Sequence, residues 1–131
     1  QIAQSPYKDR ITLEGFTRSP DVSLRSAGMF VLSSRHEGFP NALVEAMSMG
    51  LPVISFDCPY GPSELIEDHV NGLLVASEST DELAAAMEYM IANPEQREAM
   101  ARRASEVSQL LSMETIAGKW EALIEELVGS R

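Results

Sequence analysis

Short apolar runs alternate with helical segments through the first half of the chain, and this alternation constrains the fold more than any other feature. The runs span Met29 to Ser33, Pro52 to Phe56 and Gly72 to Val75. Continuous apolar runs of this length are typical of strands buried on both faces of a parallel sheet, which needs crossover helices between its strands. The sequence therefore predicts an α/β fold, a doubly wound layer with right-handed crossovers.

Helix signals fill the intervals between these runs. Pro40 fixes the start of a helix over Asn41 to Met49, Asn41 is available to cap it, and Gly50 ends it. Other short elements are likewise bounded by Gly, Pro and Ser residues. They are a strand over Arg10 to Leu13, a helix over Asp21 to Ser26 with Ser19 or Asp21 as its cap, and a short helix around Ser63 to Glu67.

The rest of the chain carries helical patterns only. Ser79 and Glu82 are spaced as a capping box, and Asn93 followed by Pro94 predicts the start of a second helix. Two apolar stripes have helical spacing, and we expect both to be buried in the core. The stripes are Leu83, Met87, Met90 and Ile91, and then Met113, Ile116, Trp120, Leu123 and Leu127.

Composition excludes several classes of protein. A chain of 131 residues that is 44% hydrophobic holds one domain or part of one. Its net charge of -10 argues against binding nucleic acid through bulk charge. A single cysteine, Cys58, excludes an internal disulfide and favours a reducing compartment, and no apolar run approaches the roughly 20 residues of a membrane span. Because the chain begins without Met, we expect it to be a fragment of a longer protein.

The stretch EGFPNALVE contains two glutamates. Glu37 precedes the Gly-Phe-Pro turn, and Glu45 lies inside the predicted helix over Asn41 to Met49 that follows the turn. In a doubly wound layer, ligands bind where a strand ends and a helix begins. The helix start offers N–H groups to a phosphate, and Gly38 allows close approach. The two carboxylates suit hydroxyl groups on either side of that phosphate, which is the outline of a sugar nucleotide. The alternative is that Glu45 only complements the helix dipole and Glu37 is solvated.

EGFPNALVE, with Gly-Phe-Pro after the first of two glutamates and seven residues between them, resembles the donor-site motif of retaining GT-B glycosyltransferases of family 4. The resemblance extends over essentially the whole chain. The stretches ITLEGF, AMSMGLPVISFD and GPSELIEDHVNGLLV resemble the elements around that motif, and DELAAAMEYMIANPEQREAM and the tryptophan-bearing helix resemble the closing helices. The resemblance implies that residues 1–131 are part of the C-terminal, Rossmann-like domain of a GT-B fold, with a helical C-terminal segment.

The resemblance also assigns roles to the residues of the motif. Glu37 matches the glutamate that contacts hydroxyls of the transferred sugar and helps to stabilise the transition state, and Glu45 matches the one that holds the ribose hydroxyls. The family transfers the sugar with retention and needs no metal or other cofactor. The residues that match the loop and helix start, whose backbone amides approach the sugar and diphosphate, are Gly38, Phe39, Pro40, Asn41 and Ala42.

Parts of such an enzyme are expected outside this chain. The acceptor-binding N-terminal domain and the basic residues that clamp the diphosphate lie upstream in the family, so we expect the fragment alone to be inactive. Lys8, Arg10 and Arg18 do not match those basic residues. The expected partners are a nucleotide-sugar donor and a glycan or lipid-linked acceptor, without nucleic acid. The expected location is the cytoplasm, with peripheral attachment to the inner face of the membrane left open.

Other polar residues near the motif are interpreted as solvated, buried or turn-forming, namely His36, Asp57, Cys58 and Glu64. The two histidines and one cysteine have no metal-ligand spacing, so we expect no metal site. A glycosidase-like pair of Glu37 and Glu45 is inconsistent with the position of Glu45 inside a helix. The rival function is a non-catalytic module that keeps the fold and only binds a partner.

Overall fold

A three-stranded parallel sheet forms the centre of the computed structural model, which describes residues 2–129. Its strands are β1 (Phe30–Leu32), β2 (Val53–Asp57) and β3 (Leu73–Ala76), in the spatial order β1-β2-β3. Phe30 lies beside Val53 in one ladder, and Ile54 lies beside Leu73 in the other. The predicted α/β fold with a parallel sheet is confirmed, and all three predicted apolar runs form strands.

Helices connect the strands and follow them. In the described residues they are α1 (Pro20–Ser26), α2 (Asn41–Ser48), α3 (Pro62–Leu65), α4 (Thr80–Ala92), α5 (Pro94–Ala104), α6 (Val107–Leu110) and α7 (Met113–Gly129), with short 3-10 turns at Ile2–Gln4 and Lys8–Arg10. The helices predicted in the first half of the chain match α1, α2 and α3 to within two residues at each end. Within residues 2–129, none of the helices is both long and apolar enough to cross a bilayer.

The hydrophobic core lies on both faces of the sheet. Because successive residues of a strand point to opposite faces, Val53 and Ile54 of β2 join two separate clusters. The first cluster contains Leu43, Ala46, Met47, Leu51, Val53, Ile66, Ala104 and Val107, and the second contains Ile54, Leu73, Ala86, Met90 and Met100. Helices therefore cover both faces, as a doubly wound layer requires.

The starts of α1 and α2 differ from the predicted caps. Ser19 occupies the cap position of α1 without a side-chain hydrogen bond to the helix. The predicted cap Asn41 is wrong, because Pro40 holds the cap position and Asn41 is already the first helical residue. Gly50 ends α2 as predicted, with φ of 72° and its N–H bonded to the Met47 carbonyl at 2.9 Å.

Only one of the two hydrogen bonds of the predicted capping box forms at the start of α4, and the glutamate of the box hydrogen-bonds to the sheet instead. Ser79 Oγ accepts a hydrogen bond from the Glu82 N–H at 3.3 Å, as predicted. The Ser79 N–H donates to the Ala76 carbonyl at 3.0 Å, and the Glu82 carboxylate instead accepts from the Ala76 N–H at 2.8 Å. Glu82 thereby connects the carboxyl end of β3 to the helix that follows it.

The predicted strand over Arg10 to Leu13 is wrong. Arg10 ends a 3-10 turn, and the residues after it have no regular structure, with Leu13 80% exposed. A short apolar run becomes a strand only beside a neighbouring strand. In the described residues β1 is an edge strand that pairs with β2 alone, and its residues are half-buried instead of buried on both faces.

The predicted burial of the two helical stripes is confirmed only in part. In α4, Met90 is fully buried and Leu83 is half-buried, but Met87 and Ile91 are exposed. In α7 only Ile116 of the stripe is half-buried. This helix packs mainly against the four-residue α6, too short to cover its apolar face. The stripe residues of α7 that remain exposed are Met113, Trp120, Leu123 and Leu127.

Candidate functional site

Three loops leave the sheet at the edge where the strands have their carboxyl ends. They span residues 33–40 after β1, 58–61 after β2 and 77–79 after β3. In parallel α/β layers this edge is where ligands bind. The predicted site residues lie here, with Glu37, Gly38, Phe39 and Pro40 on the first loop and Asn41, Ala42 and Glu45 in the first two turns of α2.

Glu37 lies against the end of β2, next to Cys58. Cys58 is only 2% exposed, and the charge of Glu37 and the backbone N–H groups of Glu37 and of Cys58 itself act on its sulfur. Burial raises the pKa of the Cys58 thiol, and the negative charge of Glu37 raises it further. The sequence interpretation of Cys58 as a buried residue is correct, but its contact with Glu37 was missed. The only signal for it was the position of Cys58, two residues after the predicted strand Pro52 to Phe56.

Glu45 lies on the exposed face of α2. Its neighbours Leu43, Ala46 and Met47 are fully buried in the core, whereas Glu45 is exposed. The carboxylate is therefore not a charge enclosed by apolar side chains, and it keeps its hydration in the absence of a ligand. Glu37, by contrast, is half-buried. Glu37 and Glu45 thus differ in their surroundings.

The amide groups at the start of α2 are largely bonded within the turn. Pro40 has no N–H, the Asn41 N–H donates to the carbonyl two residues before it at 2.9 Å, and the Leu43 N–H donates to the Pro40 carbonyl at 2.9 Å. In the part of the chain that the structure describes, the Ala42 N–H is the one of this first turn without a backbone acceptor. An anion at the helix start would therefore meet Ala42 first among the helical amides.

The loop after β2 packs directly against the start of α2 through Gly61 and Pro40. Both residues are buried, and a Cβ atom on Gly61 would lie 2.5 Å from Pro40 Cδ. Gly61 also has φ of 98°, a conformation that side chains rarely adopt. Glycine at position 61 is required both by this close approach and by the backbone. Together with the contact of Cys58 and Glu37, it fixes the first loop against the second.

An ion pair joins the first loop to the third. Arg35 Nε lies 3.1 Å from a carboxylate oxygen of Glu78, with both side chains exposed. Beneath this pair is a cavity of about 340 Å³ at the carboxyl edge, lined by Ser33, Arg35, Phe56, Glu78, Thr80 and Leu83. An exposed pair of this kind contributes little to stability. It does give the loop that carries Glu37 a contact with the third loop, in addition to its contact with the second.

Two larger cavities in the described part of the chain lie away from this edge. One of about 440 Å³ is lined by His69, Tyr89 and Arg102, and another of about 430 Å³ is lined by residues that include Leu65 and Val107. Cavity size therefore does not point to the candidate site, which is an open edge and not an enclosed space. Strand ends and loop contacts locate it more reliably in this architecture.

The remaining sequence candidates do not converge on a second centre. His36, Asp57 and Glu64 are all exposed, at the first loop, the end of β2 and α3 respectively. Residues 2–129 contain no group of three or more His, Cys, Asp or Glu side chains placed to hold a metal ion. The chemistry that this edge offers is thus carboxylates, Glu37 and Glu45 among them, backbone amides and a set of packed loops.

Comparison with known proteins gives this site a context. Residues 1–107 match the family described as glycosyl transferases group 1. A poly(ribitol-phosphate) alpha-N-acetylglucosaminyltransferase of Staphylococcus aureus is 32% identical over 120 residues, which are 91% of this chain and 24% of that protein. The chain spans about a quarter to a third of the length of curated relatives that it matches.

Solved structures contain the same layer. The chain aligns with Anabaena HepE, solved in complex with UDP-glucose, with a TM-score of 0.84 and 26% identity, over 99% of this chain and 35% of that one. It aligns with the pneumococcal O-GlcNAc transferase GtfA, solved in complex with UDP and GlcNAc, with a TM-score of 0.80 and 30% identity, over 97% of this chain and 26% of that one. The fold described here therefore recurs within considerably longer chains.

Proposed function

This chain belongs to the glycosyl transferases group 1 family, and from that membership we propose that it is the donor-binding part of a retaining glycosyltransferase of family 4. Its α/β layer matches the C-terminal Rossmann-like domain of GT-B glycosyltransferases. The proposed reaction moves a hexose from a nucleotide-diphosphate sugar to a glycan or lipid-linked acceptor. Retention of configuration proceeds through an oxocarbenium-like transition state.

The residues of EGFPNALVE act on different parts of the donor in this proposal. The exposed carboxylate of Glu45 accepts hydrogen bonds from the ribose hydroxyls. Glu37, packed against Cys58, faces the transferred sugar and stabilises the positive charge that develops as the bond from the anomeric carbon to the diphosphate breaks. Backbone amides at Gly38 and Ala42 bind the diphosphate, whose charge the helix dipole favours. No metal ion or other cofactor takes part.

The observation that carries the proposal is the position of EGFPNALVE. It leaves the carboxyl end of β1 and starts α2, at the edge where two further loops pack against it. Layers of the same fold were solved with UDP-glucose in HepE and with UDP and GlcNAc in GtfA. Those ligands support a uridine diphosphate sugar as the donor class for this chain.

The acceptor side of the reaction requires more protein than this chain. We propose that residues 1–131 are part of the C-terminal domain of a longer enzyme, with the acceptor on an N-terminal domain, and that this chain alone is inactive. The Staphylococcus aureus relative, named for its poly(ribitol-phosphate) substrate, supports a polymer of the cell envelope as the acceptor class. The proposed location is the cytoplasm, with peripheral attachment to the inner face of the membrane left open.

A second candidate function is a non-catalytic module derived from the same fold. The exposed apolar side chains of α7, among them Trp120 at 62% exposure, fit a chain that binds a protein partner. The presence of Glu37, Glu45 and the Gly-Phe-Pro turn at the carboxyl edge favours the enzyme. Donor binding distinguishes the two functions, because a partner-binding module has no need of a nucleotide sugar.

An NMR titration of the 131-residue chain with uridine, guanosine and adenosine diphosphate sugars tests the proposal. We expect saturable amide shifts at Gly38 to Glu45 for one nucleotide, which would also identify the base. The same titration on a chain extended upstream covers the diphosphate-binding residues expected there. Absence of these shifts in both chains would contradict the proposal and favour the non-catalytic module.

Glu45→Gln and Glu37→Gln form a matched pair of variants for the same titration. Glu45→Gln should weaken the binding of free UDP by about 1.5–3 kcal/mol, because charge-assisted hydrogen bonds to the ribose are lost. Glu37→Gln should leave free UDP unaffected and weaken only the sugar-bearing donor. If both variants weakened free UDP equally, the separate ribose and sugar roles would be wrong.

A further inference from the structure

Tyr60 has a backbone conformation that its side chain disfavours. Its φ is 65°, in the left-handed region, where a Cβ atom crowds the following carbonyl. Within residues 2–129 only His69 and Glu78 share this feature among residues other than glycine. Glycine or asparagine would adopt the same turn with less strain.

The aromatic ring of Tyr60 does not compensate for this strain by packing in the core. The residue is 76% exposed, whereas its neighbours Cys58 and Gly61 are buried. A strained conformation that gains no burial is typical of positions kept for function and not for stability. The loop therefore presents a large aromatic side chain to solvent at the carboxyl edge of the sheet.

The neighbours of Tyr60 place it beside the candidate donor site. Gly61, the next residue, packs on Pro40, and Cys58, two residues earlier, lies near enough to Glu37 for the Glu37 charge to act on its thiol. Phe39, which is 49% exposed, directly precedes Pro40 just as Tyr60 precedes Gly61. The close contact between the two loops therefore brings two exposed aromatic residues to the same part of the edge.

We infer that Tyr60 binds a pyranose ring, with the face of its phenol ring against the apolar C–H face of the sugar. Aromatic side chains combine a large apolar surface with a polar tip, which suits a ligand that has C–H groups on its faces and hydroxyls at its rim. Glu37 nearby would accept hydrogen bonds from those hydroxyls. The inference deepens the proposed function and rests on it, because it assigns a sugar-recognition residue to the same site.

The affinities of the chain for UDP, UDP-glucose and UDP-N-acetylglucosamine test this inference. Tyr60→Asn should weaken the binding of a UDP-sugar by roughly five- to tenfold, which is the loss of affinity expected when one aromatic contact is removed. The affinity for UDP should stay unchanged. Tyr60→Phe, which keeps the ring, should stay within about twofold of the wild type. The thermal midpoint of Tyr60→Asn should equal or exceed that of the wild type, since asparagine tolerates φ of this sign.

His69→Asn is the control for relief of backbone strain. His69 has φ of 60° but lies before β3, at the opposite edge of the sheet from the candidate site. Its substitution relieves the same kind of strain and should leave every UDP-sugar affinity unchanged. A loss of affinity in Tyr60→Asn alone therefore reports the ring and not a change in loop stability.

A titration with methyl α-glucopyranoside in the presence of saturating UDP separates the two sources of the sugar ring. A loss confined to UDP-sugars assigns Tyr60 to the transferred sugar, and a loss confined to the glucoside assigns it to the acceptor. If UDP binds and Tyr60→Asn matches the wild type for every probe, the inference is wrong and the proposed function stands. If neither UDP nor any UDP-sugar shifts Gly38 to Glu45, in this chain and in the chain extended upstream, both fail.

Discussion

The Cys58 thiol lies where the loop after β2 meets Glu37, and its acidity reports that contact. Burial, and then the charge of Glu37, raise the pKa of the thiol above its ordinary value of 9.0. The folded state therefore keeps the thiol proton at pH values where the unfolded chain has lost it. Its stabilising effect is fully present below pH 9.0 and disappears as the pH rises through the folded pKa.

Denaturant unfolding as a function of pH tests whether the stability falls in this pH range. We expect the free energy of unfolding of the wild type to fall above about pH 9, by at most about 1.4 kcal/mol per pH unit from this group, and to fall less in Cys58→Ala. Parallel pH profiles of the two proteins would contradict the raised pKa of Cys58.

Glu37→Gln provides the matched variant for the same contact. It removes the charge of Glu37 and leaves burial and the charge of Asp57 in place, so the pKa of the Cys58 thiol should fall only part of the way. Titration of the thiolate by ultraviolet absorbance measures this change. An unchanged thiol pKa in Glu37→Gln would mean that the two side chains do not interact.

Single residues also show which parts of the site could be predicted from the sequence. Glu37 and Glu45 were predicted as site residues from their place at a strand–helix junction and from the family resemblance of EGFPNALVE, and both lie at the carboxyl edge of the sheet. The need for glycine at position 61 was not, because it arises from Pro40 Cδ, which belongs to a different loop. Likewise, nothing in the local sequence indicates that Arg35 pairs with Glu78.

At the scale of elements, helices α4 and α7 have similar apolar patterns but different burial. Met90 of α4 is fully buried against the sheet, whereas Met87 of the same helix is 37% exposed and Trp120 of α7 is 62% exposed. The stability of the chain should therefore depend on the stripe of α4 at one position and scarcely at all on that of α7.

Three alanine variants test this difference by urea unfolding. Met90→Ala should cost about 2–5 kcal/mol, because it leaves a cavity in the core. Its control on the same helix, Met87→Ala, should cost less than about 1 kcal/mol, and Trp120→Ala should change stability by no more than about 0.5 kcal/mol. A cost for Trp120→Ala equal to that of Met90→Ala would show that the α7 face is covered in this chain.

At the scale of the whole molecule, charge opposes the proposed ligand. The chain has a net charge of -10, and the candidate site itself contains Glu37, Glu45 and the pair of Arg35 with Glu78. A diphosphate is an anion, so long-range repulsion acts against its approach while local amides attract it. Salt screens this long-range repulsion more strongly than it screens the short-range attraction between the amides and the diphosphate.

The affinity for UDP should therefore increase when the ionic strength is raised from low to physiological values. We expect a tightening of roughly two- to fivefold between about 0.01 M and 0.15 M salt, where the Debye length falls from about 30 Å to about 8 Å. Calorimetric titration at several salt concentrations measures it, with uncharged uridine as the control that salt should not affect. Weaker UDP binding at higher salt would mean that attraction by local positive charge dominates the site.

The sequence alone determined the parallel α/β layer, the approximate bounds of β1, β2 and β3, the helices between them and the location of EGFPNALVE at a strand–helix junction. These depend on signals within a few residues of each other, such as apolar runs, the proline before α2 and the glycine after it. Only the tertiary structure decided that residues 10–13 form no strand, that the α7 stripe stays exposed, and that Gly61 and Cys58 pack against the loop of Glu37. Each of these depends on which distant segments face each other, and a local pattern contains no information about its partner.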